Sequence, residues 1–95
     1  MPLVYILYSK MIDHYYIGYT IDSIEVRIEK HLSNFYRNKY TAQVKDWKLH
    51  LQINCETNNQ ARQIENHIKK MKSRKYITDL IKYPEMIVNL LNKYL

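Results

Sequence analysis

The sequence predicts an α+β domain in which a three-stranded antiparallel sheet is flanked by helices, in the order β-β-α-β-α-α. Three observations carry this prediction. Two β-prone runs separated by a short polar connection open the chain. One later segment alternates apolar and polar residues with period two. The stretches between and after the strands repeat apolar residues at helical spacing. Ninety-five residues fit one domain over 1–95, because chains divide at roughly 100 to 200 residues per domain, and no repeat, low-complexity tract or Pro/Gly/Ser linker interrupts them.

Leu3-Val4-Tyr5-Ile6-Leu7-Tyr8 is the first strand, Ser9 to His14 the connection, and Tyr15-Tyr16-Ile17-Gly18-Tyr19-Thr20 the second strand, so the pair predicts a hairpin. Asp22 with Glu25 three residues on is a helix-start pattern, and Ile24, Ile28, Leu32 and Phe35 follow on one face, predicting a helix over 22–35. Trp47, Leu49, Leu51 and Ile53 alternate with Lys48, His50 and Gln52, predicting a third strand with one buried and one wet face. Thr57 with Gln60 forms a capping box. Ala61, Ile64, Ile68 and Met71 continue as a stripe into a basic run, Lys69 to Lys75, at the end of that helix. Tyr76–Lys82 and Pro84–Tyr94 read as one or two further short helices.

Composition narrows the function. One cysteine, Cys55, excludes a disulfide framework and a zinc site built on several thiolates. The longest apolar run, Leu3–Tyr8, is far below the ~18 residues that span a bilayer, so a soluble, cytoplasmic protein without membrane attachment is expected. The net charge of +6 is regional: residues 1–35 hold three Lys/Arg against four Asp/Glu, and residues 36–82 hold eleven against four. A one-sided positive field with Tyr and Trp interleaved suits a phosphate backbone with bases to stack on, although a basic face also arises simply to keep a protein soluble.

Several residues stand where chemistry could sit. Gly18, the chain's one glycine, lies inside a strand, where a missing side chain gains nothing unless something approaches the backbone; a β-bulge would also explain it. Arg27 and His31 are four apart on the flank of the first helical stripe, and Glu65 is at the edge of the stripe on the second. The plain alternative for Glu65 is a surface pair with Lys69. His14, His50 and His67 have no His or Cys at metal-ligand spacing and read as surface residues.

Taken together, Leu3-Val4-Tyr5, Tyr16-Ile17-Gly18, Arg27, His31 and Glu65 resemble the GIY-YIG nuclease family. They are closest to small members similar to the N-terminal nuclease domain of UvrC-type excision nucleases. Leu3 stands where the family name has its first glycine, Tyr19 where a lysine often follows Tyr-Ile-Gly, and Ile77–Leu80 lacks the asparagine many members carry. The resemblance implies a metal-dependent DNA endonuclease that selects by structure rather than sequence, in DNA repair or recombination. The alternative is a degenerate module that binds nucleic acid or a repair partner without cleaving.

On that resemblance, Glu65 holds one Mg²⁺ or Mn²⁺, an ion that keeps several waters and needs few carboxylates, and no organic cofactor is implied. Arg27 meets the non-bridging phosphate oxygens. Tyr5 is the general base or water-positioner with His31 as its proton acceptor, Tyr16 holds water or phosphate by its hydroxyl, and Gly18 permits close approach. DNA is held by two basic clusters, Arg37, Lys39 and Lys45 in the crossover and Lys69, Lys70, Lys72, Arg74 and Lys75 further on.

Overall fold

A computed structural model describes residues 2–32 and 46–95, with only the backbone of residues 30–32 described. Arg37, Lys39 and Lys45 lie outside the described residues, as does the predicted end of the first helix. The order is β1 (Leu3–Ser9), β2 (His14–Thr20), α1 (Ile24–Leu32), β3 (Lys48–Asn54), α2 (Asn58–Met71), α3 (Arg74–Lys82) and α4 (Pro84–Lys93). The tail thus forms two helices, separated at Tyr83 where Pro84, suited by its fixed φ to a first helical turn, begins the next.

The sheet runs β2-β1-β3 with both pairings antiparallel. β1 is central and buried along nearly its whole length, as its unbroken apolar run demands of a strand covered on both faces. Its alternate residues feed two cores. Val4 and Ile6 pack with Ala61, Ile64 and Ile68 of α2, with Ile77 and Leu80 of α3 and with Leu90 of α4. Leu3, Tyr5 and Leu7 pack with Ile24 of α1 and with Trp47, and Tyr16 and Ile28 close over them. α1 therefore covers one face and α2 the other.

Four local expectations change. The side chain that caps α1 is Ser23, whose hydroxyl accepts from the Val26 N–H at 3.3 Å, while the Asp22 N–H donates to Thr20 Oγ1. The alternation in β3 does not keep one face: Ile6 is opposite Leu51 but Leu7 is opposite Leu49, a bulge at His50 that spends one extra residue. Ile53 and Leu51 then face α2, whereas Leu49 and Trp47 face the α1 side. His50 packs against the rings of Tyr8 and Tyr15, at 6.4 and 4.9 Å between centroids, so it is not a surface histidine.

The fourth change concerns the basic run, which is not the tail of a single helix. Thr57 caps α2 as expected, and Gln60 ties its start to Glu56 N–H and to the Leu91 carbonyl of α4. α2 stops at Met71 because Lys72 turns into the left-handed region (φ 47°) and its N–H returns to Lys69 O. Ser73 then caps α3, accepting from the Tyr76 N–H. Arg74 and Lys75 accordingly belong to the next helix.

Ile64 is fully buried between α2 and the sheet. Ile64→Ala should destabilise the fold by about 2–5 kcal/mol, whereas Val88→Ala, at a side chain 54% exposed, should stay within about 0.5 kcal/mol. Urea denaturation of both variants checks the assignment.

Candidate functional site

On the α1 face, β1 and β2 place three of the expected site residues side by side. Tyr5 lies directly opposite Gly18 and Leu7 opposite Tyr16, so all four point to the same face. The Tyr5 and Tyr16 rings are stacked at 24° with centroids 6.3 Å apart. Trp47 meets Tyr16 edge-on from the far side of β1, at 6.1 Å.

Gly18 has no left-handed backbone to accommodate. Its role is steric. A Cβ there would stand 2.6 Å from Tyr5 Oη and 2.7 Å from Tyr5 Cζ, distances that real carbon atoms do not tolerate. The missing side chain lets the Tyr5 phenol lie across β2, and the hydroxyl so placed accepts a hydrogen bond from Arg27 Nε at 3.0 Å. Tyr5 is fully buried, so it is held against Gly18 rather than resting there by chance. Binding through Nε fixes the plane of the guanidinium, whose other edge is the fork that matches phosphate oxygens.

Of the other expected residues, His31 stands one turn beyond Arg27 on α1, with its side chain outside the described residues. Glu65 is not on this face. It rises from α2 in the opposite layer, its side chain only 13% exposed, with Lys69 Nζ 3.5 Å from its carboxylate. Contacts near the hairpin fix how α2 runs. His14, Tyr15 and Ile17 share a wall with Ile68, Lys69 and Lys72, so the end of α2 lies near the start of β2 and the two run antiparallel. Glu65, about 4.5 Å before Ile68 along the helix, therefore stands toward the Gly18 end of β2. β2 is an edge strand of the sheet, and the helices that carry Glu65 and Arg27 pack on its opposite faces.

Among the described residues no group of three or more His, Cys, Asp or Glu could hold a metal. A lone, largely sheltered carboxylate fits an ion that keeps most of its waters and takes further oxygens from a phosphate, which is the habit of Mg²⁺. It does not suit an ion needing a full protein cage. Of the second basic cluster, Lys69 pairs with Glu65 and Lys75 with Asp79, and Arg74 is bound by Asp13.

That last contact was not legible beforehand. Asp13, in the hairpin at φ 50°, accepts from Tyr8 Oη at 2.6 Å and from both terminal nitrogens of Arg74 at 3.1 and 2.7 Å, while Arg74 also lies over the Tyr15 ring. The guanidinium, then the Tyr8 hydroxyl, holds the Asp13 carboxyl well below the usual carboxylate range, and the same bond raises Tyr8. Asp46, just before β3, is likewise tied to the hairpin connection, accepting from Ser9 Oγ at 2.6 Å and the Met11 N–H at 2.9 Å. Only the short polar connection between the first two strands hinted at such latches.

The GIY-YIG catalytic domain family matches residues 1–77, from β1 to the first turn of α3. No curated protein and no solved structure matches the chain. No helix among the described residues is long and apolar enough to cross a membrane.

If the Tyr5 phenol occupies the space a Cβ would need, Gly18→Ala should cost about 1–3 kcal/mol by forcing the ring aside. Tyr5→Leu removes both the hydroxyl and the ring carbons that a Cβ would strike, so the two substitutions should be non-additive, the pair costing less than the sum. Urea denaturation of the four proteins in the cycle measures this coupling.

Proposed function

The chain belongs to the GIY-YIG family of nuclease domains, and from that premise we propose that it is a metal-dependent DNA endonuclease that hydrolyses phosphodiester bonds and selects substrate by shape rather than sequence. The observation that supports this reading best is the Arg27 guanidinium held by Tyr5 across Gly18, beside Tyr16. Arg27 stabilises the charge that builds on the non-bridging oxygens as water adds to phosphorus. A guanidinium already fixed in its plane loses little freedom at that moment. Tyr5, without exposed surface, positions Arg27. Tyr16, half-buried on the same face, is the hydroxyl that holds the attacking water, and His31, one turn from Arg27, takes its proton.

Glu65 would hold Mg²⁺ or Mn²⁺, which when bound neutralises phosphate charge and acidifies a water. A DNA strand lying along the β2 edge of the sheet would meet Arg27 and Tyr16 from one side and Glu65 from the other. Phosphate contacts to Lys69, Lys70 and Lys72, joined by Arg37, Lys39 and Lys45, position the strand without reading bases. A DNA repair or recombination substrate with a branch, flap or lesion fits such shape-directed binding. Tyr19 in place of a lysine, and Ile77–Leu80 without an asparagine, favour a second reading, a module that binds such DNA and does not cut it.

The protein should nick or cut branched or single-strand-containing DNA with Mg²⁺ or Mn²⁺ and stop with EDTA; activity that persists in EDTA contradicts the proposal, and binding without cutting across a broad panel selects the second reading. Glu65→Gln should abolish cleavage while leaving fold and DNA affinity nearly unchanged, because the Lys69 pair it weakens is worth only about 0.2–0.5 kcal/mol. Replacing Lys69, Lys70 and Lys72 together by Ala should lower affinity and flatten the slope of log K against log salt by up to about three phosphate contacts, each near 0.9. Cleavage and salt-dependent binding on one substrate read out all three proteins.

A further inference from the structure

A pocket of about 290 Å³ opens where the hairpin end of β2 meets the corner between α2 and α3. Lys69, Lys72 and Arg74 line it, with Ser73 between them, over a floor of Ile17, Ile68 and Ile77. The carboxylate at its rim, Asp13, is already neutralised by Arg74 through both terminal nitrogens. Lys69 shares its charge with Glu65 at 3.5 Å and keeps a side chain 51% exposed. Lys72 makes no ion pair among the described residues, and its left-handed backbone ends α2 at this corner. With Asp13 and Arg74 cancelling each other and Lys69 shared with Glu65, Lys72 supplies the uncompensated positive charge over the apolar floor. That combination suits a sugar-phosphate unit, the phosphate on the lysines and the sugar on the isoleucines.

We infer that this pocket receives a second phosphate of the bound strand, apart from the phosphate that is cut, and so sets which bond reaches Arg27 and Glu65. The inference rests on the nuclease reading above and adds a register to it. Two distances agree on the offset. From Glu65 to Lys72 is seven helical residues, about 10 Å; from Gly18 to Tyr15 is three strand residues, also about 10 Å. Successive phosphates of a B-form strand stand roughly 6–7 Å apart through space, about twice the 3.4 Å axial rise, so the held phosphate lies about one or two nucleotides from the cut.

The test is a methylphosphonate scan. A forked duplex carries one neutral methylphosphonate at each position in turn, its affinity for the full chain is measured in EDTA, and the cut is mapped separately with Mg²⁺. At one position about one or two nucleotides from the cut, wild type should lose about tenfold in affinity, the scale of one charged hydrogen bond. Lys72→Gln should lose about as much on unmodified DNA and almost nothing further at that position, because the lost partner is the same. Lys69→Gln should couple to the same phosphate, and Lys82→Gln, on α3 away from the pocket, to none.

Equal further loss for Lys72→Gln and Lys69→Gln at every position overturns the pocket while the nuclease reading stands if the DNA is cut. Coupling at one phosphate without any cutting supports the pocket and removes the nuclease reading alone. Failure to bind the fork at all removes both.

Discussion

The Tyr5 phenol lies across the chain's one glycine to reach Arg27, and the α1 face of the sheet depends on that crossing. It needs β1 and β2 in the register that sets Tyr5 opposite Gly18. It needs α1 packed so that Arg27 Nε arrives within 3.0 Å. It also needs the ring sealed in, as Leu3, Leu7, Ile24 and Trp47 do around it. A buried hydroxyl must find a partner or cost of order 1–3 kcal/mol, so the fold and the cation's placement are enforced by the same contact. The family's tyrosine and glycine thus act here as one unit that holds an arginine.

The opposite layer has a different logic. α2 is anchored by its apolar stripe against Val4 and Ile6, by Gln60 reaching α4, and by the Asp13–Arg74 latch that ties the start of α3 to the hairpin. The family match ends at Ile77, yet Leu80 and Leu90 beyond it complete the same core. Glu65 and the lysines of α2 are therefore carried by a helix packed partly against residues outside the match. β2, an edge strand of the sheet, lies between the layer of α2 and the layer of α1.

Much of this was legible in the sequence where local pattern and final structure agree: the hairpin runs, the Thr57 cap and Ala61, Ile64 and Ile68 of the α2 stripe kept their reading, whereas Met71 at the end of that stripe is exposed. It failed where a single residue redirected the chain. The bulge at His50 moved Trp47 and Leu49 to the face opposite Ile53, and no period-two pattern announces an extra residue. Lys72 in the left-handed region, a conformation usually left to glycine, split the basic run into two helices. Gly18 signalled a close approach, but its partner, Tyr5, could be named only from the register. Glu65 and Arg27 looked alike as flanking residues of helical stripes, and only the topology shows that they belong to opposite layers.

The most direct measurement of the central claim is a cycle on the cleavage step itself, comparing wild type, Tyr5→Phe, Arg27→Ala and the double variant at saturating DNA and Mg²⁺. If Tyr5 acts by holding Arg27, the double variant should cut no more slowly than Arg27→Ala alone, because groups that work as one unit are lost together. Rate losses that multiply would show that Tyr5 contributes to the chemistry independently of Arg27, contradicting the account.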